Sequence, residues 1–123
     1  MKFALILMIK NEEKILKRCL DAIKDVVDCY CIFDTGSTDN TVEIAKSYGC
    51  NITTYKTNGT ISDSEYLNIK NNCWKNATTD WVLVCDCDEI VFTDPKSKYS
   101  SLREYYENFE GYGVTTNGYH ILC

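Results

Sequence analysis

Apolar residues along this chain come in short continuous runs, separated by stretches with helical spacing. The first run predicts a β-strand over residues 2–9. Asn11 then stands where a helix N-cap is expected, with Glu12 and Glu13 in the first turn, where the helix dipole favours anions. Ile15, Leu16, Cys19, Leu20 and Ile23 fall on one face of that helix. A second strand is expected over 29–33. The segment Asp34-Thr-Gly-Ser37-Thr-Asp39-Asn-Thr41 reads as a loop opening a helix, with Ser37 and Asp39 as caps. That helix is expected to run to Tyr48 and stop at Gly49, a residue suited to the C′ position. A third strand follows over 51–55, a polar loop over 56–62, and a helix over 63–76 with Leu67, Cys73 and Trp74 toward the core. Residues 81–85 predict a buried strand. Beyond residues 90–95 a helix is expected over 98–109, with Leu102, Tyr105, Tyr106 and Phe109 inward. Two last strands, 112–116 and 119–123, flank Asn117-Gly118, a hairpin signal.

Alternation of strand and helix implies an α/β fold, with a mostly parallel sheet flanked by helices. At 123 residues the chain suits a single domain spanning 1–123. The formal charge of -5 argues against a nucleic-acid partner. It leaves nucleotides open, because a metal can supply the positive charge. No run is long enough to span a membrane. The apolar start is too short for a signal peptide and lacks a small-residue cleavage site. A cytoplasmic location with reduced thiols is therefore expected for the eight cysteines. Cys29/Cys31 and Cys85/Cys87 have C-x-C spacing on predicted strands, which suits small core residues better than zinc ligands. The sequons at Asn51, Asn58 and Asn76 matter only in a secreted protein.

The chemistry concentrates where predicted strands end. Asp86-Cys-Asp88-Glu89 follows an apolar strand directly, and such a cluster of carboxylates repels itself unless a cation or donors offset it. Acid-x-acid there is a natural grip for a hard divalent cation and, through it, a diphosphate. The bland alternative is a solvated acidic turn. In a parallel sheet, residues 10–13, residues 34–39, the loop and helix around Lys70, and residues 86–89 share one rim, where α/β proteins bind ligands. Asp34 suits a base or ribose contact, or simply a turn. Glu12 suits a base contact, or simple dipole complementarity. Lys70 suits a phosphate, or an exposed helix position. His120 is the only histidine and suits packing or the surface.

Taken together, these segments resemble a family 2 glycosyltransferase of the GT-A fold. Met8-Ile-Lys-Asn-Glu-Glu13 is similar to the subgroup opening M-I-V-K-N-E-E. Cys19-Leu-Asp-Ala-Ile23 matches its next helix. Asp34-Thr-Gly-Ser-Thr-Asp-Asn-Thr41 is similar to D-[TS]-G-S-T-D-G-T, and Asp80-Trp-Val-Leu-Val-Cys-Asp-Cys-Asp-Glu89 to D-W-V-L-x-L-D-A-D-E. The resemblance implies a Rossmann-like GT-A sheet and transfer of a sugar from a nucleotide-sugar, most often a UDP-sugar, with Mn2+ or Mg2+ and usually inversion. It makes Asp88 the direct metal ligand and gives Asp86 the ribose or the metal. Glu12 and Asp34 would hold base and ribose, beside the backbone of Met8, Ile9 and Lys10. Lys70 stands where the subgroup has Arg and is assigned to the base or diphosphate, without arginine's bidentate fork. Cys85 and Cys87 replace the usual Leu and Ala.

The acceptor, whether carbohydrate, lipid or protein, has no signature here. Nor has a catalytic base, although Glu89 and Asp94 lie near the acidic motif in sequence. Family members continue well past that motif into an acceptor-binding half, so a shortened form ending after it is expected. A non-catalytic nucleotide-sugar-binding module shares the same motifs. A sugar nucleotidyltransferase would want a Gly-rich loop after the first strand, and a phospho-receiver domain would want acids directly at its end. Residues 8–13 contain no glycine, and Lys10-Asn11 offers no acid before Glu12.

Overall fold

In a computed structural model, which describes residues 2–55, 61–89, 98, 101–108 and 110, the core is a four-stranded parallel sheet. Its strands are β1 (Phe3–Ile9), β2 (Cys29–Asp34), β3 (Asn51–Thr54) and β4 (Trp81–Val84), in the order β3-β2-β1-β4. The helices are α1 (Leu16–Ile23), α2 (Thr41–Ser47), α3 (Asp63–Asn72), continued by a 3-10 turn over Cys73–Asn76, and α4 (Leu102–Glu107).

β1 is central because it is apolar on both faces. It pairs with β2 from Ala4↔Cys29 to Ile9↔Asp34, and with β4 from Phe3↔Trp81 to Ile6↔Val84. Side chains alternate across a strand. Phe3, Leu5, Leu7 and Ile9 therefore enter one apolar layer with Leu16, Cys19, Leu20 and Ile23 of α1. Ile6 and Met8 enter a second layer with Phe33, Ile69 and Cys73. α4 closes the first layer near the strand starts. Tyr106 packs 5.5 Å from the Trp81 ring, and Arg103 bonds the Val26 carbonyl at 3.1 Å and the Asp28 carboxylate at 3.2 Å.

The strand pattern, the inward face of α1 and the stop at Gly49 (φ 70°) are borne out. Four local expectations are corrected. Asn11 does not cap α1, which starts at Leu16 with no side-chain cap and no acid in its first turn. Asn11 instead adopts φ 53°, a left-handed conformation that Asn tolerates and the strand exit uses. Neither Ser37 nor Asp39 is the N-cap of α2. That position is Asn40, while Ser37 reaches across to the β1 loop. Leu67 is 55% exposed, because α3 touches the sheet through Ile69 and Cys73. β4 lies at the end of the described strand order rather than being enclosed, and Val84 is exposed. Cys85 and Cys87 lie just past β4, yet both are buried, as their core reading expects. Cys29 and Cys31 are half-buried.

Phe109, His120, Asp94, the residue 90–95 segment, the Asn117-Gly118 hairpin and the side chains of Trp74 and Leu102 lie outside the described residues, as does most of the 56–62 loop. No described helix is long and apolar enough to cross a membrane.

Candidate functional site

Because β1, β2 and β4 run parallel, their following loops emerge on one rim. The loops after β1 and β2 are stitched together. Asn11 donates its N–H to Ser37 Oγ at 2.9 Å and accepts from the Thr38 N–H at 2.7 Å. Glu12 donates its N–H to Thr41 Oγ1 at 2.8 Å. Glu13 donates its N–H to Asp39 Oδ2 at 3.4 Å and accepts from the Asn40 N–H at 3.0 Å. The Asp39 carboxylate also takes the Thr41 N–H and hydroxyl. The Asn40 and Thr41 N–H groups at the start of α2 thus have side-chain partners, and the first loop is fixed against that helix.

Asp34 is buried at the end of β2, and its carboxylate accepts the Ser37 N–H at 3.1 Å, so it shapes its own turn. The Ile9 carbonyl accepts both the N–H and the hydroxyl of Thr35. Thr35 and Thr41, with Asn11 as a clasp rather than a cap, were not singled out by sequence reading. The available signal was a run of short polar residues immediately after two strands, a pattern prone to local side-chain-to-backbone bonding.

Glu12 is carried over the rim toward the acidic loop. Its carboxyl is held above the ordinary range by partial burial and then by the charges of Asp88, Asp39 and Asp86. The acidic loop itself is a tight turn. Glu89 N–H donates to the Asp86 carbonyl at 3.0 Å, and the Glu89 carboxylate accepts the Asp86 N–H at 3.4 Å. Asp86, Asp88 and Glu89 each offer an oxygen, all within 4.8 Å of one another. An all-oxygen donor set of this size fits a hard divalent cation. Asp88 is exposed, and Asp86 and Glu89 are half-buried.

Lys70, in the last turn of α3, places Nζ 3.2 Å from Asp86 Oδ1. Burial alone would lower its ammonium pKa; the hydrogen bond and charge of Asp86 outweigh this and hold it above the ordinary value. Beneath the acids, Cys85 and Cys87 turn inward to the sulfur of Cys19. Hydrogen bonding to Cys19 and burial push both thiols up. All seven described cysteines carry free thiols.

The structure thus brings Glu12, Asp86, Asp88, Glu89 and Lys70 together, with Asp39 beside them. Asp34 and the backbone of Met8, Ile9 and Lys10 lie along the same rim at the ends of β1 and β2.

The sequence profile of Glycosyl transferase family 2 matches residues 4–108. A TPR repeat-containing protein of Synechococcus elongatus is 35% identical over 91 residues, covering 74% of this chain and 21% of its own length. The SPbeta prophage-derived glycosyltransferase SunS of Bacillus subtilis is 26% identical over 103 residues, covering 84% of this chain and 24% of its own. An uncharacterized glycosyltransferase of Rickettsia typhi is 32% identical over 88 residues, or 72% and 28% of the two chains. The chain therefore spans between 21% and 28% of the length of these relatives. Glucosyl-3-phosphoglycerate synthase from Mycobacterium tuberculosis, solved with Mn2+, UDP and glucosyl-3-phosphoglycerate, superposes with a TM-score of 0.55 at 23% identity. The match covers 72% of this chain and 34% of that one. The profile match takes in every rim segment described above, and the superposition supports the fold: the chain belongs to glycosyl transferase family 2 and has the GT-A fold.

Proposed function

We propose that this chain supplies the donor-binding part of a metal-dependent, inverting glycosyltransferase that uses a UDP-sugar. The observation that carries the reading is the convergence of Glu12, Asp86, Asp88 and Lys70 on one rim, from the ends of β1, β4 and α3. Asp88, exposed at the tip of the acidic turn, binds Mn2+ or Mg2+ directly, and Asp86 shares the metal or takes the ribose. Bound there, the cation neutralises the charge that develops on the departing diphosphate. Lys70 contributes a second positive charge to the same phosphates. Glu12 and Asp34, with the backbone of Met8 to Lys10, hold base and ribose. The clasp between the first two loops keeps these groups from rearranging when the nucleotide enters.

The acceptor is a carbohydrate, lipid or protein hydroxyl, and an acceptor-side base outside the residues named here removes its proton. The runner-up is a nucleotide-sugar-binding module without transfer, which would use the same rim residues. Calorimetry with UDP, GDP, CDP and dTDP, with and without Mn2+, tests the donor site. UDP should bind best, and only with Mn2+, and Asp88→Ala should abolish the metal requirement together with tight binding. Metal-independent affinity, or unchanged binding by Asp88→Ala, would refute the reading. Release of sugar from a panel of UDP-sugars then separates an enzyme from a binding module.

A further inference from the structure

Lys70 holds a carboxylate that the donor-site reading gives to a metal, and the inference here rests on that reading. Its Nζ lies 3.2 Å from Asp86 Oδ1, and Asp86 is one of the residues whose oxygens cluster within 4.8 Å. The same ammonium stands 5.8 Å from the centroid of the Tyr66 ring, one turn earlier on α3. Tyr66 and Asp86 thus fix it from two sides. α3 buries none of its own residues, so these contacts contribute to how the end of the helix meets the acidic loop.

We propose that Lys70 is an internal counter-ion for the metal-free acidic loop, and that it makes metal and nucleoside diphosphate bind cooperatively. A divalent cation arriving alone must take Asp86 from Lys70 and sit close to an ammonium group. Both effects weaken its binding. A diphosphate arriving with the cation gives the ammonium a new anionic partner, and the penalty disappears. Linkage then requires the metal to favour the diphosphate by the same factor. The pair is part-exposed, with side chains 37% and 49% accessible, which keeps the effect modest. A part-exposed ion pair of this kind corresponds to a change of up to about fivefold in metal affinity.

Calorimetry on the intact chain tests this with Mn2+ alone, UDP alone and both together, for the natural protein, Lys70→Met and Lys70→Arg. Lys70→Met should bind Mn2+ alone about fivefold more tightly than the natural protein, and its Mn2+–UDP coupling should fall by a similar factor. Direct metal–phosphate contact keeps the remainder. Lys70→Arg retains the charge and should retain the coupling. Circular dichroism confirms that each variant is folded, and binding of Mn2+ by any folded variant gives a readout independent of catalysis. The proposal is overturned if Lys70→Met binds Mn2+ alone no more tightly, or keeps the full coupling. Failure of the natural protein to bind Mn2+ even with UDP present would instead overturn the donor-site reading, and this inference with it.

Discussion

Replacing Thr41 with Val tests whether the clasp between the first two loops holds the rim together. Thr41 is completely buried, so Val keeps nearly the same volume and removes only the hydroxyl. That hydroxyl accepts the Glu12 N–H at 2.8 Å and donates to the Asp39 carboxylate. Without it the Glu12 N–H faces a methyl group. A lost hydrogen bond costs about 1 kcal/mol and an unpaired buried donor about 1–3 kcal/mol, so a loss of roughly 2 kcal/mol is expected. Thr41→Ser keeps the hydroxyl and loses one methyl, which costs about 1 kcal/mol. Urea denaturation should therefore rank natural protein, then Ser, then Val, with the slope m unchanged.

Acid titration adds an independent readout. Desolvation would raise the Asp39 carboxyl, but hydrogen bonds from the Thr41 hydroxyl, the Thr41 N–H and the Glu13 N–H outweigh it and depress the value below the ordinary 3.8. A depressed carboxyl contributes stability that is complete above its unfolded value and is lost as pH falls through the folded one. In both proteins the contribution should begin to fade as pH falls through 3.8, but in Thr41→Val it should be smaller and be gone sooner below that value, because the folded carboxyl then lies closer to it. A Val variant within about 0.5 kcal/mol of the natural protein, with the same acid limb, would refute the clasp as a structural tie.

Two further substitutions probe the layers around the rim. Leu20→Ala removes a fully buried side chain of α1 and should cost about 3 kcal/mol in the same assay, whereas Leu67→Ala, on the exposed face of α3, should stay within about 0.5 kcal/mol. Equal losses would contradict the placement of α3. Glu12→Gln removes a carboxylate that burial and the charges of Asp88, Asp39 and Asp86 hold above the ordinary 4.5. Its ionised form disfavours the fold, so the metal-free variant should melt higher than the natural protein at pH 7. The difference should vanish as pH falls below 4.5, and a lower melting temperature at pH 7 would contradict the crowding of these charges.

The strands and the inward face of α1 were legible because a single period governs each. In β1 both faces are apolar, and in α1 Leu16, Cys19, Leu20 and Ile23 repeat at helical spacing. Parallel pairing then carried the acidic motif to the same rim as Glu12 without further assumption. What failed was local. Asn is favoured both at helix N-caps and in left-handed turns, and only the tertiary need for a sharp exit from β1 selects the second role for Asn11. Leu67 misled because a leucine inside a helix suggests a core contact, yet α3 meets the sheet through a narrow edge at Ile69 and Cys73. The pairing of Ser37 with Asn11 and of Thr41 with Glu12 spans 26 and 29 residues of sequence, a range over which no periodicity reports.

The acidic loop shows how a sheet can hold mutually repelling groups at its rim. Through the acidic turn past β4, burial alternates: Cys85 and Cys87 are buried, while Asp86 is half-buried and Asp88 exposed. The two thiols meet Cys19, which projects from the buried face of α1. Burial of the small apolar side chains therefore anchors each acid through its immediate neighbours, and Glu89 closes the turn by taking the Asp86 N–H. Carboxylates held this way cannot relieve their repulsion by moving apart. The Lys70 ammonium, 3.2 Å from Asp86 Oδ1, offsets part of that repulsion. The C-x-C spacing and the D-x-D spacing are thus one pattern, in which the buried cysteines hold the carboxylates beside one another.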